Sequence, residues 1–538
     1  MKKDIHTLKW ILHASNGFKG RILLMFLLGL MRILLSLASV WFCKELLDIA
    51  TNKSDKDLSL YIGLLIGALA LQLILGIITN WLDGVYRIKH LNQMQYRIYT
   101  QVMQMPWNGN DKFHSGDMVN RLLVDLGTIN DFICGTLPSL GLTISQLIGA
   151  STLLYILQPT LLWIILCIMP FTAILSRIYL TTMRKLTARL RENGSKIQST
   201  LQESLLNRIT IIALGGIKQT FTKLRILQDE TETLTKKRLR FSIFSSNLVR
   251  LGLTLGYGIA FIWGVLGIKE GVITFGTMTA FMQLVTQVQG PFADMARHIP
   301  AFVHTLTAAD RIRELTKDNG CIYVCENEIK LEDAGIKVKD LSFGYAEDKS
   351  VISNLTYDFT PGSHTAIMGK TGAGKSTLAK LLMALLQHNC GEISIYNEQE
   401  TCITSAKTRC NFSYVPQGNS LFSGTIRENL LLGNPSANEE QMKHALYLSA
   451  SDFVDNLDAP CHEKGGGLSE GQAQRIAIAR ALLHQGSILI MDEASSALDE
   501  ETERTILHRL KEDNTKRTII WVTHHANVAK AMDNLVTL

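Results

Sequence analysis

The stretch Gly369-Lys370-Thr371-Gly372-Ala373-Gly374-Lys375-Ser376-Thr377 decides how the C-terminal part of the chain is read. It is preceded by His364-Thr365-Ala366-Ile367-Met368, an apolar run of strand length, and followed by LAKLLMALL, which has the composition of a helix. The glycine-rich segment is therefore GxxxxGK[ST] in the strand-loop-helix setting that its chemistry requires. Glycines let successive backbone N–H groups curl around a phosphate at a helix N-terminus, where the helix dipole favours negative charge. Lys375 is expected to reach β- and γ-phosphate oxygens, and the Ser376 hydroxyl to bind Mg²⁺.

A second run, Ile488-Leu489-Ile490-Met491, reads as a buried strand that ends in Asp492-Glu493. Two adjacent carboxylates at a strand end can divide the work of phosphoryl transfer. Asp492 is expected to hold Mg²⁺, and Glu493 to polarise the attacking water.

Between these motifs lies Leu468-Ser469-Glu470-Gly471-Gln472, opening the helical segment AQRIAIARALL. Here the chain resembles the ATP-binding cassette family, whose signature is usually Leu-Ser-Gly-Gly-Gln. Other parts of that family's pattern follow in order. Tyr345, in LSFGYAED, is similar to the aromatic that stacks on adenine, and Gln417, in YVPQ, to the glutamine that contacts Mg²⁺. Ser496-Ala497-Leu498-Asp499 resembles the D-loop, His524, in WVTHH, the histidine that contacts the γ-phosphate, and Glu463 the exporter-type loop before the signature. The resemblance implies ATP and Mg²⁺ as ligands, with Glu493, His524 and Lys375 catalytic. It implies nucleotide contacts from Tyr345, Gly369 to Thr377, Gln417, Ser469, Gly471, Gln472 and Asp499, and metal contacts from Ser376, Gln417 and Asp492. Three features depart from the pattern: Glu470 replaces a glycine of the signature, the chain stops soon after His524, and the stretch from Gln417 to Leu468 is short.

Upstream the composition changes. An apolar fraction of 46% with a mean hydropathy of +0.13 over 538 residues is too high for an ordinary soluble protein of that size. A bilayer core of about 30 Å takes about 20 mostly apolar helical residues. Six stretches meet this, near 21 to 42, 59 to 82, 135 to 157, 159 to 180, 242 to 268 and 274 to 300. Only Gln158 and Pro159 separate the third and fourth, so they are expected to form a tight hairpin. The long connections 83 to 134 and 181 to 241 are polar, and the second is rich in Lys and Arg, which places both on the cytoplasmic side. If each runs out and back as two helices of about 25 residues, the arms project on the order of 35 Å. The segment FHSGDMVNRLLVD (113 to 125) in the first arm is similar to the exporter branch of the cassette family.

Several residues carry two readings. Arg32 and Arg250 fall inside spans and either line a substrate path or are structurally paired. Gln283 and Gln287 share a helical face, through which either interhelical bonding or ligand contact explains them. Nine cysteines without metal-type pairing read as ordinary thiols, Cys321 and Cys325 included. The net charge of +6 is dispersed along the chain and excludes a nucleic-acid stripe. The N-terminus lacks a cleavage site and reads as retained, with residues 4 to 14 forming a short interfacial or cytosolic helix.

The expected architecture is a multi-domain membrane protein: an all-α six-span transmembrane domain (1 to 318) followed by an α/β P-loop NTPase domain with a helical subdomain (330 to 538). What the resemblance implies is ATP-driven export of an amphipathic, lipid-like or peptide substrate by a dimer of such half-transporters, a homodimer being favoured over a heterodimer. The alternative is a membrane-anchored ATPase that regulates a partner or channel. A bacterial inner membrane, with the nucleotide-binding domain in the cytoplasm, is the expected setting.

Overall fold

A computed structural model describes residues 6–7, 9–11, 17–104, 115–316, 328–345, 350–370, 372–462, 465–513 and 515–538. Thr371, Glu463, Cys321, Cys325 and the first two residues of the 113 to 125 segment lie outside the described residues. The chain divides into two compact units, Met1–Tyr99 with Gly116–Leu315, and Thr100–Ser115 with Thr316–Leu538.

The described residues of the first unit form helices joined by short connections. Its long elements are Lys19–Ala50, Leu58–Met103, Leu137–Leu157, Pro159–Leu206, Ile217–Lys269 and Phe275–Leu315. Among the described residues, Lys19–Ala50, Leu58–Met103, Gly116–Leu157 and Arg250–Lys269 are long and apolar enough to cross a membrane. The other two expected spans fall within Pro159–Leu206 and Phe275–Leu315. Leu23, Leu34, Ile66, Leu73, Ile77 and Trp81 point outward and are exposed, as suits a protein whose solvent there is lipid. The buried packing is narrow, centred on Val40, Leu154, Ile165, Phe281, Leu284 and Val288. Gly29 lets two helices approach closely, since a Cβ there would lie 2.5 Å from Leu142 Cδ1.

The expected hairpin is present: Gln158 is extended between Leu157 and Pro159, and Pro159 occupies the first turn of the next helix, where its missing N–H costs nothing. The arms are uninterrupted continuations of the spans, so Pro159–Leu206 and Ile217–Lys269 run out and back around the short helix Arg208–Ala213. The run from Ser115 to Leu157 contains two π-helical turns, Arg121–Asp125 and Phe132–Thr136. Arg121 and Asp125, both buried, use the first of these to meet the end of Phe275–Leu315. Arg121 pairs with Asp117 and Glu314, and Arg311 pairs with Asp117 and Asp125.

The second unit is an α/β cassette. A five-stranded parallel sheet is built from β3 His364–Met368, β6 Phe412–Val415, β9 Ile488–Asp492, β10 Thr518–Val522 and β11 Asn534–Thr537, in the order β11-β3-β10-β9-β6, while β7 Gly424–Thr425 and β8 Pro460–Cys461 pair apart from it. An antiparallel sheet of β1 Gly335–Phe343, β2 Ile352–Phe359, β4 Cys390–Tyr396 and β5 Thr401–Ile403 packs with it through Ile336, Val338, Ile367, Ile393 and Ile490. The helices Ile426–Leu431, Glu439–Leu448 and Glu470–Leu483 form the helical subdomain, joined through Leu430, Met442, Leu446 and Ile476. β10 lies between β3 and β9, with Val522 in register with both Ile367 and Asp492. Parallel sheets bind ligands beyond the carboxyl ends of their strands, and this order brings three of those ends together.

Candidate nucleotide site

The glycine loop leaves β3 at Met368 and enters the helix Lys375–Leu382 through Gly374. Gly374 caps that helix with φ of 94°, and a Cβ there would lie 2.8 Å from Val351 Cγ1, so both conformation and space require glycine. Gly372 also has positive φ, of 84°. Lys375 is buried, and its Nζ donates to the carbonyls of Gly369 (3.0 Å) and Lys370 (3.3 Å) inside the loop. It also stands 3.7 Å from Glu493 Oε1.

At the end of β9, Asp492 is 2% exposed. Ser376 Oγ donates to its Oδ1 at 2.8 Å, and the Tyr414 hydroxyl to its Oδ2 at 3.2 Å. Burial pushes the Asp492 carboxyl above the usual carboxylate range, against the lowering effect of these two donors. The same burial, with the Asp492 charge, raises the Tyr414 phenol. Tyr414 therefore remains a donor across the whole physiological range.

Glu493, one residue on, adopts φ of 49°, an uncommon conformation for a residue with a side chain. Its N–H donates to Val522 O at 3.1 Å. Its side chain is shared: Gln417 Nε2 donates to Oε2 at 2.5 Å, and His524 Nε2 lies 2.6 Å from Oε1. The structure thus brings Lys375, Ser376, Gln417, Asp492, Glu493 and His524 into one cluster. Tyr345 is half exposed beside it, its hydroxyl 3.1 Å from Thr377 Oγ1.

The signature residues are arranged differently. Ser469 caps the helix Glu470–Leu483 in a capping box with Gln472, so each satisfies the other's backbone N–H. Glu470 is exposed in the first turn of that helix. Gly471 approaches the D-loop closely, since a Cβ would lie 2.9 Å from Ala497 O. Asp499 caps Glu500–Glu512, and the Thr502 donors hold its carboxyl below the usual range.

Two residues of the cluster lie in quoted segments, yet the sequence assigns them no role. Tyr414 precedes Gln417 in the chain but reaches Asp492 only because β6 pairs with β9. Gln474, buried in the signature helix, donates to Glu493 O at 3.4 Å and accepts from Ala497 N at 3.2 Å. A glutamine among the apolar residues of AQRIAIARALL is the signal that could have found it. In the helical unit, Gln283 Nε2 lies 3.8 Å from Cys43 Sγ and Gln287 Nε2 3.4 Å from Ser36 Oγ. Arg32 and Arg250 are both exposed.

The ABC transporter transmembrane region model matches residues 22–292, half of the chain, and the ABC transporter model matches residues 352–496. The chain belongs to the ABC transporters. A putative export ATP-binding/permease protein of Rickettsia bellii is 27% identical over 83% of this transporter and 79% of the relative. A probable multidrug resistance ABC transporter ATP-binding/permease protein of Bacillus subtilis is 26% identical, over 83% and 68%. A multidrug resistance ABC transporter ATP-binding and permease protein of Lactococcus lactis is 25% identical, over 89% and 81%. The fold is similar to that of a bacterial Atm1-family ABC exporter with ATP bound, with a TM-score of 0.80 at 21% identity, covering 97% of this transporter and 94% of that chain. The transporter is an integral membrane protein that binds ATP through its cassette and couples ATP hydrolysis to export.

Proposed function

We propose that two copies of this chain close two composite ATP sites and use that closure to export an amphipathic, lipid-like or peptide substrate. The setting we infer is a bacterial inner membrane, with the cassettes (330 to 538) in the cytoplasm. The observation that carries the dimer is the tip of the second arm. Leu205, Leu206, Ile209 and Leu214 are 71%, 78%, 84% and 80% exposed in the single chain, at the end furthest from any apolar span. Apolar side chains clustered in water mark an interaction surface, and a second chain is the occupant that also completes the ATP sites. The multidrug resistance names carried by the relatives from Bacillus subtilis and Lactococcus lactis support an amphipathic cargo.

Within each site, Lys375 is assigned to the phosphates and Glu493 to orienting the attacking water, with His524 fixing the carboxylate. Ser376 Oγ and Asp492 Oδ1, 2.8 Å apart, form a hard oxygen donor set that suits Mg²⁺, which binds through one or two carboxylates and phosphate oxygens. Bound there with Gln417 nearby, the metal would neutralise charge on the β- and γ-phosphates. Tyr414 and Ser376 orient Asp492, and Gln474 fixes the strained Glu493 backbone from behind. Binding ATP more tightly in one conformation than the other is what drives the spans.

The test is the ATPase rate of the full-length protein in lipid vesicles against lipids, peptides and amphipathic dyes, with Glu493→Gln as control. Stimulation by one class, absent in the variant, supports export and names the cargo type. A rate indifferent to every compound favours the regulatory alternative.

A further inference from the structure

Glu503 and His525 make a pair that the site described above does not use. Glu503 lies one turn into Glu500–Glu512 and is 2% exposed. Its Oε2 is 2.9 Å from His525 Nδ1. Among the described residues, its Oε1 has no hydrogen-bond partner. A carboxylate withdrawn this far from water is costly unless a donor, preferably a cation, faces it. His525 is that donor, and its imidazole remains partly open to solvent. The contact therefore restrains the histidine more than it buries it.

The restraint matters because of what lies next in the chain. His524, whose Nε2 contacts Glu493 Oε1 at 2.6 Å, sits between Thr523 and His525. Thr523 is buried, and its N–H donates to Ile367 O at 3.1 Å. Its Oγ1 accepts from the His525 N–H at 3.0 Å. One neighbour of His524 is thus fixed by the sheet and the other by Glu503. Among the described residues, the His524 side chain meets the Glu493 carboxylate alone, and it is 44% exposed.

We propose that Glu503 and His525 are positioning residues for ATP hydrolysis: their pairing fixes the loop so that His524 Nε2 stays on the Glu493 carboxylate. The inference rests on the roles assigned above to Glu493 and His524. It ties the helix that follows the D-loop to the loop that carries His524, so displacement of Glu500–Glu512 is transmitted to the reacting carboxylate.

The experiment is steady-state ATPase of the full-length protein carrying His525→Ala, His525→Arg or Glu503→Gln, with thermal unfolding of each. His525→Ala is expected to lower kcat by about tenfold to a hundredfold with the KM for ATP within about twofold of the parent, and to lower the unfolding temperature, because the buried Glu503 carboxylate loses its donor. His525→Arg, which returns a donor to Glu503, should recover most of the loss. Glu503→Gln, of equal size, should show the same fall in kcat; if it fails to fold, the alanine and arginine pair decides. A parental kcat in His525→Ala overturns the proposal, and so does a loss that arginine does not recover. A Glu493→Gln protein that hydrolyses ATP at the parental rate overturns instead the site assignment on which the pair's role depends.

Discussion

Replacing Tyr414 with Phe removes one hydroxyl and leaves the ring packing in place, so the effect on Asp492 can be isolated. The hydroxyl donates to Asp492 Oδ2 at 3.2 Å, and Ser376 then remains as the carboxylate's other side-chain donor. A hydrogen bond to a charged acceptor contributes about 1.5 to 3 kcal/mol, and this distance argues for the lower end. Asp492 is already held above the usual carboxylate range by burial, and losing a donor that lowers it raises it further. A carboxyl raised in the folded state contributes stability that is present below its unfolded value and lost as pH rises through its folded value. The variant should therefore match the parent at low pH, near the unfolded carboxyl value, and be less stable by about 1.5 kcal/mol once the pH has risen through the raised folded value. In the same protein the acid limb of kcat/KM for ATP should move to higher pH, because hydrolysis needs Asp492 ionised. Denaturant melts between about pH 4 and about pH 8.5, and pH–rate profiles between about pH 5.5 and about pH 8.5, measure both. Superimposable profiles, or a stability loss independent of pH, would refute the claim that Tyr414 sustains the ionised carboxylate.

Two further changes test separate parts of the reading. Gly374→Ala combines a left-handed backbone with an overlap against Val351, so we expect ATP affinity to fall by about thirtyfold or more, from about 2 kcal/mol or more of strain, in nucleotide titrations. Ile209→Glu should leave the unfolding temperature of the detergent-solubilised protein nearly unchanged, because the site is exposed in one chain, yet lower vesicle ATPase by about tenfold or more, since a carboxylate would have to enter the interface.

Much of the cassette was legible because its motifs are local. Gly372 and Gly374 mark backbone that no other residue adopts easily, and Asp492-Glu493 ends an apolar run that can only be a buried strand. Tyr414 and Gln474 were not legible, because their roles depend on which strand lies beside β9 and which helix lies behind Glu493. The antiparallel sheet escaped for a related reason: β1 and β2 carry Lys337, Lys339, Asn354 and Asp358 on exposed positions and pair across bulges, which blurs the alternation. In the helical unit, apolar length located the spans but not their ends. Leu58–Met103 passes from apolar to charged sequence, and Ile217–Lys269 from charged to apolar, without a break, since nothing in either sequence stops a helix.

The π-helical turns at Arg121–Asp125 and Phe132–Thr136 change what a single-residue insertion or deletion does to this protein. In an α-helix each residue advances the azimuth by about 100°, so an indel inside a span turns every lipid-facing side chain downstream toward its neighbours. A π-turn already carries one residue in excess, and gaining or losing it relaxes locally into ordinary helix. The span Leu137–Leu157 and the arm beginning at Ser115 can therefore be re-phased against each other one residue at a time. Length variation among relatives of this chain should accumulate at these two turns, while the apolar segments on either side keep their length.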